Sequence, residues 1–225
     1  MKIGIVGGTG GMGEGFALRW CANHQIVIGS RDKNKASEVA NNYTKTAQEY
    51  YKDKMSGNIS GDNNFDLAKD LDILILSIPY ESINDTCSKL SQSVSDDCII
   101  ISPIVPMKWE EKGFTYIPFE EGKKPAAELV ADNFKSRSRI VSAFHTISEM
   151  KLKKIDYNLD VDTYICGDDL GVVQKIKDLA SEIQGLRPIY LGQLSMTYQA
   201  EILTPMILNG AKKNKLKNPG LKLIV

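Results

Sequence analysis

Three groups of residues in the first 35 positions have the types and spacing to hold a nucleotide. Gly8, Gly10 and Gly13 form a G-x-G-x-x-G run, with Thr9, Gly11 and Met12 between them. An apolar stretch, Lys2 to Val6, leads into the run, and Phe16, Ala17, Trp20 and Cys21 then recur at helical spacing. Strand, tight turn and helix in that order put the backbone N–H groups of residues 9–12 at a helix N-terminus. There the amides and the helix dipole suit the negative charge of a dinucleotide pyrophosphate. In this reading Gly8 makes the turn, Gly10 lets backbone approach the phosphates, and Gly13 lets helix pack on strand.

The second strand decides which dinucleotide. Ile26 to Gly29 ends in Ser30-Arg31, with Lys35 one helical turn further on. An NAD site carries a carboxylate near this point for the ribose hydroxyls. Here a hydroxyl, a planar guanidinium and an ammonium stand instead, a set suited to a phosphate dianion. The nearest carboxylate, Asp32, follows the arginine. The pattern predicts NADP(H).

Two nearly continuous apolar runs lie further on, residues 71–77 and 98–102. They read as central parallel strands covered on both faces. Ile78-Pro79 follows the first, and Pro103-Ile104-Val105-Pro106 the second. In open α/β sheets the carboxyl ends of the strands border the ligand site. Ile78, Pro79 and Val105 are therefore expected as apolar walls around a flat ring, stiffened by the prolines.

The elements that must position these groups alternate between strand and helix periodicity. A polar helix over 33–54 has Ala36, Val39, Ala40, Tyr43 and Ala47 as its buried stripe, and a short strand is expected around 58–60. Helices follow over 80–90 and 126–134, with strands at 139–144, 162–167 and 188–191. Asp168 or Asp169 reads as the N-cap of a helix whose face is Val173, Ile176, Ala180 and Ile183. The stretch 109–124 is expected to be irregular, and a C-terminal helix carrying Met196, Ala200, Leu203 and Ile207 is expected to break at Thr204-Pro205. The fold class is α/β: a Rossmann-type, doubly wound, mainly parallel sheet with a small C-terminal α/β extension ending in a helix.

Composition excludes several functions. The 225 residues have zero net charge, 42% hydrophobic and 25% charged content, so no global field draws the chain to nucleic acid or membrane. Two histidines rule out a multi-histidine metal site, and the four cysteines, at 21, 87, 98 and 166, show no ligand spacing. No metal is expected. No apolar run nears the ~20 residues of a membrane span, and the chain begins directly with a strand of about five residues, too short for the h-region of a signal peptide, so a cytoplasmic location is expected. Lysines 212, 213, 215, 217 and 222 read as a solvated face.

Blocks along the whole chain, among them Gly7-Gly8-Thr9-Gly10, Gly29-Ser30-Arg31, Ser102-Pro103-Ile104-Val105-Pro106, Ala143-Phe144-His145-Thr146-Ile147, Cys166-Gly167-Asp168-Asp169 and Leu203-Thr204-Pro205-Met206-Ile207-Leu208-Asn209, resemble the archaeal F-420-dependent NADP reductases. The resemblance implies hydride transfer between NADP and coenzyme F-420 (F420), an 8-hydroxy-5-deazaflavin acting as co-substrate. It implies that Thr9 to Met12 hold the pyrophosphate, Ser30, Arg31 and Lys35 the 2′-phosphate, Ile78 and Val105 the nicotinamide, and that Phe144, His145 and Thr146 line the pocket. It divides the chain into an NADP-binding domain, 1–147, and an extension, 148–225, that completes the deazaflavin pocket and supplies a homodimer contact. Tyr80, Ser82 and Ser148-Glu149 depart from the family pattern, where Trp, His and Pro-Ala are usual. Such a reaction needs no catalytic side chain; His145 is a pocket candidate, either bonded to the deazaflavin or a satisfied histidine at a strand end. An NADPH-dependent reductase of a small imine or ketone would instead need a proton donor, His145, Tyr116 or Lys112. A non-catalytic NADP(H)-sensing protein would need only the nucleotide site. Arg137, Arg139 and Arg187 are candidates for the tail of the deazaflavin.

Overall fold

The computed structural model describes residues 1–224. In chain order the main elements are β1 (Lys2–Val6), α1 (Gly11–Trp20), β2 (Gln25–Ser30), α2 (Lys33–Tyr51), β3 (Asn58–Asn63), β4 (Ile73–Leu76), α3 (Ile83–Leu90) and β5 (Ile99–Ser102). They continue with β6 (Met107–Glu110), β7 (Gly113–Tyr116), α4 (Ala126–Ala131), β8 (Ile140–Ser142), α5 (Glu149–Leu152), β9 (Val161–Gly167), α6 (Leu170–Ser181), β10 (Leu186–Gly192) and α7 (Thr197–Lys213). Eight strands make one sheet in the order β10-β9-β8-β5-β4-β1-β2-β3. All neighbours are parallel except β8 and β9. The winding reverses between β1 and β4, whose ends are level, with Val6 opposite Leu76. That crevice is where such sheets bind ligands.

Both faces of the sheet are covered, as the unbroken apolar runs require. Ile3, Ile5, Phe16, Trp20, Ile28 and Ile176 share one core, and Val6, Leu74, Leu76, Ile83, Val130 and Ile140 the other. Asp169 caps α6, its carboxylate accepting from the amides of Gly171 at 2.8 Å and Val172 at 3.0 Å. The carboxylate of Asp32 caps α2 in the same way. The sheet crosses residue 147 without interruption into β9 and β10.

Two expectations are corrected. The stretch 109–124 is irregular only beyond Tyr116: before it β6 and β7 form an antiparallel hairpin with Trp109 opposite Phe114, their rings 5.0 Å apart. The hairpin is held from outside by Asn209 of α7. Its Oδ1 accepts from the Phe114 amide and its Nδ2 donates to the Phe114 carbonyl, both at 2.8 Å. Helix α7 does not break at Thr204-Pro205 but runs through Pro205. Pro205 lacks the amide that would bond the carbonyl one turn earlier. Burial of Thr204 and Pro205, and a 2.7 Å bond from the Thr204 hydroxyl to the His145 carbonyl, hold the turn in place.

Candidate active site

The turn after β1 is set by sterics. Gly7, with φ +71, takes the left-handed conformation, and a Cβ there would come within 2.3 Å of the Ser77 carbonyl oxygen. The turn residue is therefore Gly7 and not Gly8, the glycine expected to make it. Gly13 does what its position predicts: a Cβ there would meet the Gly8 backbone at 2.4 Å. Gly10, the N-cap of α1, has no side-chain cap and no atom closer than 3.6 Å to its open side. The first amides of α1 have no intrahelical partner, and Met12 of this turn lines the cleft.

Gly11 has a second task. With Gly15, one turn on, it forms a shallow groove on α1 that receives α5. A Cβ at Gly11 would strike the Glu149 carboxylate at 2.0 Å, and one at Gly15 would strike Leu152 at 2.6 Å. Buried Arg19 then ties down the end of α5 by donating to the carbonyls of Leu152 at 2.8 Å, Lys154 at 2.6 Å and Tyr157 at 2.9 Å. Ser148 and Glu149 reach the cleft because α1 holds this short helix there.

At the end of β2, Ser30 is nearly buried, while Arg31 and Lys35 are exposed. The Asp32 carboxylate is occupied by the amides of Asn34 and Lys35. Asp62, at the end of β3, is paired with Lys33 at 2.8 Å, which holds its carboxyl below the usual range. Arg31 thus meets no unpaired carboxylate among these neighbours. Two asparagines that sequence reasoning missed fix this corner. Asn63 donates to the Arg31 carbonyl at 3.1 Å. Buried Asn64 accepts from the Gly7 amide at 3.1 Å and donates its own amide to Ser30 at 2.8 Å, joining the glycine turn to the β2 end. The only signal was the Asn-Asn pair at a strand end, a place where such side chains bond to backbone.

From Met12 a cleft of about 900 Å³ runs past Ile78, Pro79 and Val105 to the underside of α7 at Thr204 and Leu208. The expected ring walls are therefore brought together. Phe144, His145 and Thr146 border the same cleft but differ in what they offer. Phe144 sits at φ +71, rare for a bulky residue, and its ring packs in the core 5.1 Å from Phe16. The Thr146 hydroxyl is spent on the Asp162 carbonyl at 3.1 Å. His145 is 5% exposed, and neither ring nitrogen has a hydrogen-bond partner among the described residues. Burial pushes its pKa down to about 3, only partly opposed by the Ser102 backbone, so the ring is neutral. It is not the satisfied histidine that a strand end can hold. Both ring nitrogens lie beneath the cleft surface, so the part of His145 that borders the cleft is not its hydrogen-bonding edge.

Behind the hairpin lies a carboxylate with no motif to announce it. Glu201 of α7 is fully buried. It accepts from the Tyr116 hydroxyl at 2.7 Å, the Ala126 and Ala127 amides at 3.1 Å, and the Thr197 hydroxyl at 3.0 Å. Burial pushes its pKa up to about 7 against those four bonds. The Tyr116 hydroxyl is thereby committed away from the cleft, and Lys112 is exposed outside it. The three arginines considered for a tail are also committed: Arg137 to Glu128 and Asp168, Arg139 to Asp97, and Arg187 to Asp162.

Comparisons with known proteins agree with this geometry. The profile of the family described as "NADP oxidoreductase coenzyme F420-dependent" matches residues 2–106. A Methanocaldococcus jannaschii protein named F420-dependent NADP reductase is 36% identical, over 99% of this chain and 98% of its own. One of the same name from Methanothermobacter thermautotrophicus is 31% identical, over 99% and 94%. Among solved structures, an Arthrobacter protein provisionally named an F420-dependent NADP reductase aligns over the full length of both chains, with a TM-score of 0.77 at 16% identity, and so shares the fold.

Proposed function

The chain belongs to the F420-dependent NADP reductase family, and from that premise we propose how its cleft carries the family's reaction. The protein is an oxidoreductase that passes a hydride, reversibly, between reduced coenzyme F420 and NADP+. The observation that carries the assignment of roles is the single continuous cleft from Met12 to the underside of α7, about 900 Å³ in volume and walled by Ile78, Pro79 and Val105. It suits two flat rings stacked face to face.

The amides of Thr9 to Met12, around Gly8 to Gly13, hold the pyrophosphate, and Ser30, Arg31 and Lys35 hold the 2′-phosphate. Ile78, Pro79 and Val105 orient the nicotinamide and exclude water from one side of it. Phe144, His145 and Thr146 shape the wall beside the deazaflavin. When both coenzymes are bound, they supply the hydride chemistry themselves; the residues fix orientation and distance. The imine or ketone reductase is disfavoured because each side chain it would need as proton donor is out of use. His145 is neutral near pH 7 and lacks the acidic imidazolium proton, Tyr116 donates to Glu201, and Lys112 lies outside the cleft.

Residues 1–147 act as the NADP-binding part and 148–225 as the part completing the deazaflavin pocket. A homodimer through the outer face of α7, where Met206 is exposed beside Pro205, and a cytosolic location belong to the same reading. All four cysteines are free and buried, in keeping with a reducing compartment. Among the described residues no helix is long and apolar enough to cross a membrane.

The test is to mix the protein with NADPH and oxidised F420 and follow the deazaflavin absorbance. Enzyme-dependent bleaching with NADPH but not NADH is the expected result. No bleaching while NADPH still binds would overturn the reading.

A further inference from the structure

The cations around the cleft divide into committed and uncommitted ones. Arg137, Arg139 and Arg187 are ion-paired away from it, and at its rim Lys108 pairs with Glu110 and Glu120, and Lys153 with Glu14 and Glu149. The end of α7 is different. Lys212 lines the cleft, with its ammonium 3.4 Å from the centre of the Trp109 ring. The chain then turns, and Leu216, Asn218 and Pro219 come back to line the same cleft. Lys213, Lys215 and Lys217 do not line the cleft themselves but are chain neighbours of residues that do. All four lysines are exposed, and none forms an ion pair among the described residues.

The backbone adds a second observation. The Leu216 amide donates to the Ala211 carbonyl at 2.9 Å to close α7, which puts Lys215 in the left-handed region at φ +56. Glycine is the residue that takes this position without strain. The helix dipole explains cations in the last turn, Lys212 and Lys213, but not the two beyond it. An ammonium kept against local strain next to a cleft-lining residue points to a ligand with negative charge.

We propose that Lys212, Lys213, Lys215 and Lys217 dock the anionic tail of the deazaflavin coenzyme, whose ribityl arm continues into a phosphodiester and glutamate carboxylates. The proposal rests on the F420 reading above. The ring system enters the apolar cleft, and the tail leaves over the end of α7, where the lysines meet its charges in water. Such exposed pairs add modestly one by one and together set the affinity.

The experiment measures Kd by quenching of deazaflavin fluorescence, with F420 and with tail-less 8-hydroxy-5-deazariboflavin. The wild type is compared with K213Q/K215Q/K217Q, which leaves Lys212 in the cleft wall. Each exposed pair is worth a factor of about two to five, so the triple variant should bind F420 about tenfold or more weakly. Its Kd for the tail-less compound should change less than twofold. In the wild type, added salt should weaken F420 binding and leave the tail-less compound unmoved, a readout that does not depend on the variant's folding. Equal, salt-insensitive affinity for the two compounds in the wild type would overturn the proposal, as would equal loss for both in the variant. Binding of NADPH with neither deazaflavin would overturn the F420 reading, and this proposal with it.

Discussion

Beyond Met12, at the N-terminal end of the cleft, the groups proposed to hold the nucleotide are backbone amides and exposed cations from one continuous stretch, residues 7–35. At the other end the wall is assembled from β5, β8, the hairpin and α7, elements far apart in the chain. The first end is held by short backbone-directed bonds such as Asn64 to Gly7. The second is held by side chains reaching across the fold, such as Asn209 to Phe114 and Glu201 to Tyr116. A nucleotide phosphate asks for charge and N–H groups in a fixed local pattern, which a turn can supply. A flat apolar ring asks for enclosure, which only packed elements can supply.

Breaking the second end should have the largest effect on stability. Glu201→Ala strands two amides and two hydroxyls in the interior and should cost about 3–4 kcal/mol, read as a fall in the midpoint of a denaturant melt. NADPH affinity should stay within about twofold, since the two ends are built separately. The milder Glu201→Gln sharpens the point through pH. The Glu201 carboxyl titrates near 7 in the fold and near 4.5 when unfolded, so the folded state binds the extra proton in between. Wild-type stability should therefore fall, relative to Glu201→Gln, as pH rises from about 4.5 to 7, by an amount on the order of 3 kcal/mol. Parallel stability curves for the two proteins would show that the carboxylate does not titrate there.

Breaking the first end should act on binding instead. Arg31→Ala should raise the KM for NADPH about ten- to a hundredfold, the loss of charge-assisted bonds to a phosphate, and leave that for NADH nearly unchanged. If both suffer alike, the 2′-phosphate lies elsewhere. Asn64→Ala should be smaller, about 1–2 kcal/mol in NADPH affinity or stability, because it frees the Gly7 turn without removing a ligand contact. Isothermal titration with NADPH checks it. The smallest expected effect is none: the ring protons of His145 should keep one NMR chemical shift from pH 5 to 8, because burial holds the group neutral throughout. A titrating His145 would mean that water reaches the cleft wall.

The same contrast explains what was legible in the sequence. The glycine run, the Ser30-Arg31 pair and the buried runs ending at Ile78 and Pro103 are local patterns, and their physics is complete within a few residues. The hairpin was not legible because Trp109 to Tyr116 has little apolar alternation of its own; its outer support, Asn209, lies 95 residues from Phe114. Glu201 reads as an ordinary surface residue of an amphipathic helix until three donors from β7 and α4 join Thr197 of its own helix around it. The continuity of α7 through Pro205 is a further case, since local propensity says stop and burial of the turn says continue.

The two outer strands of the sheet bear on how the protein behaves in quantity. β3 is Asn-Ile-Ser-Gly-Asp-Asn, and β10 carries Pro188, which has no amide to offer, and Arg187, which is tied to Asp162. Neither gives another molecule a long, flat apolar edge to extend. The sheet is thus closed to templated growth at both ends although it is open in topology. Concentrated stocks should lose material through global unfolding, with loss tracking the melting curve, and not through strand addition from the folded state.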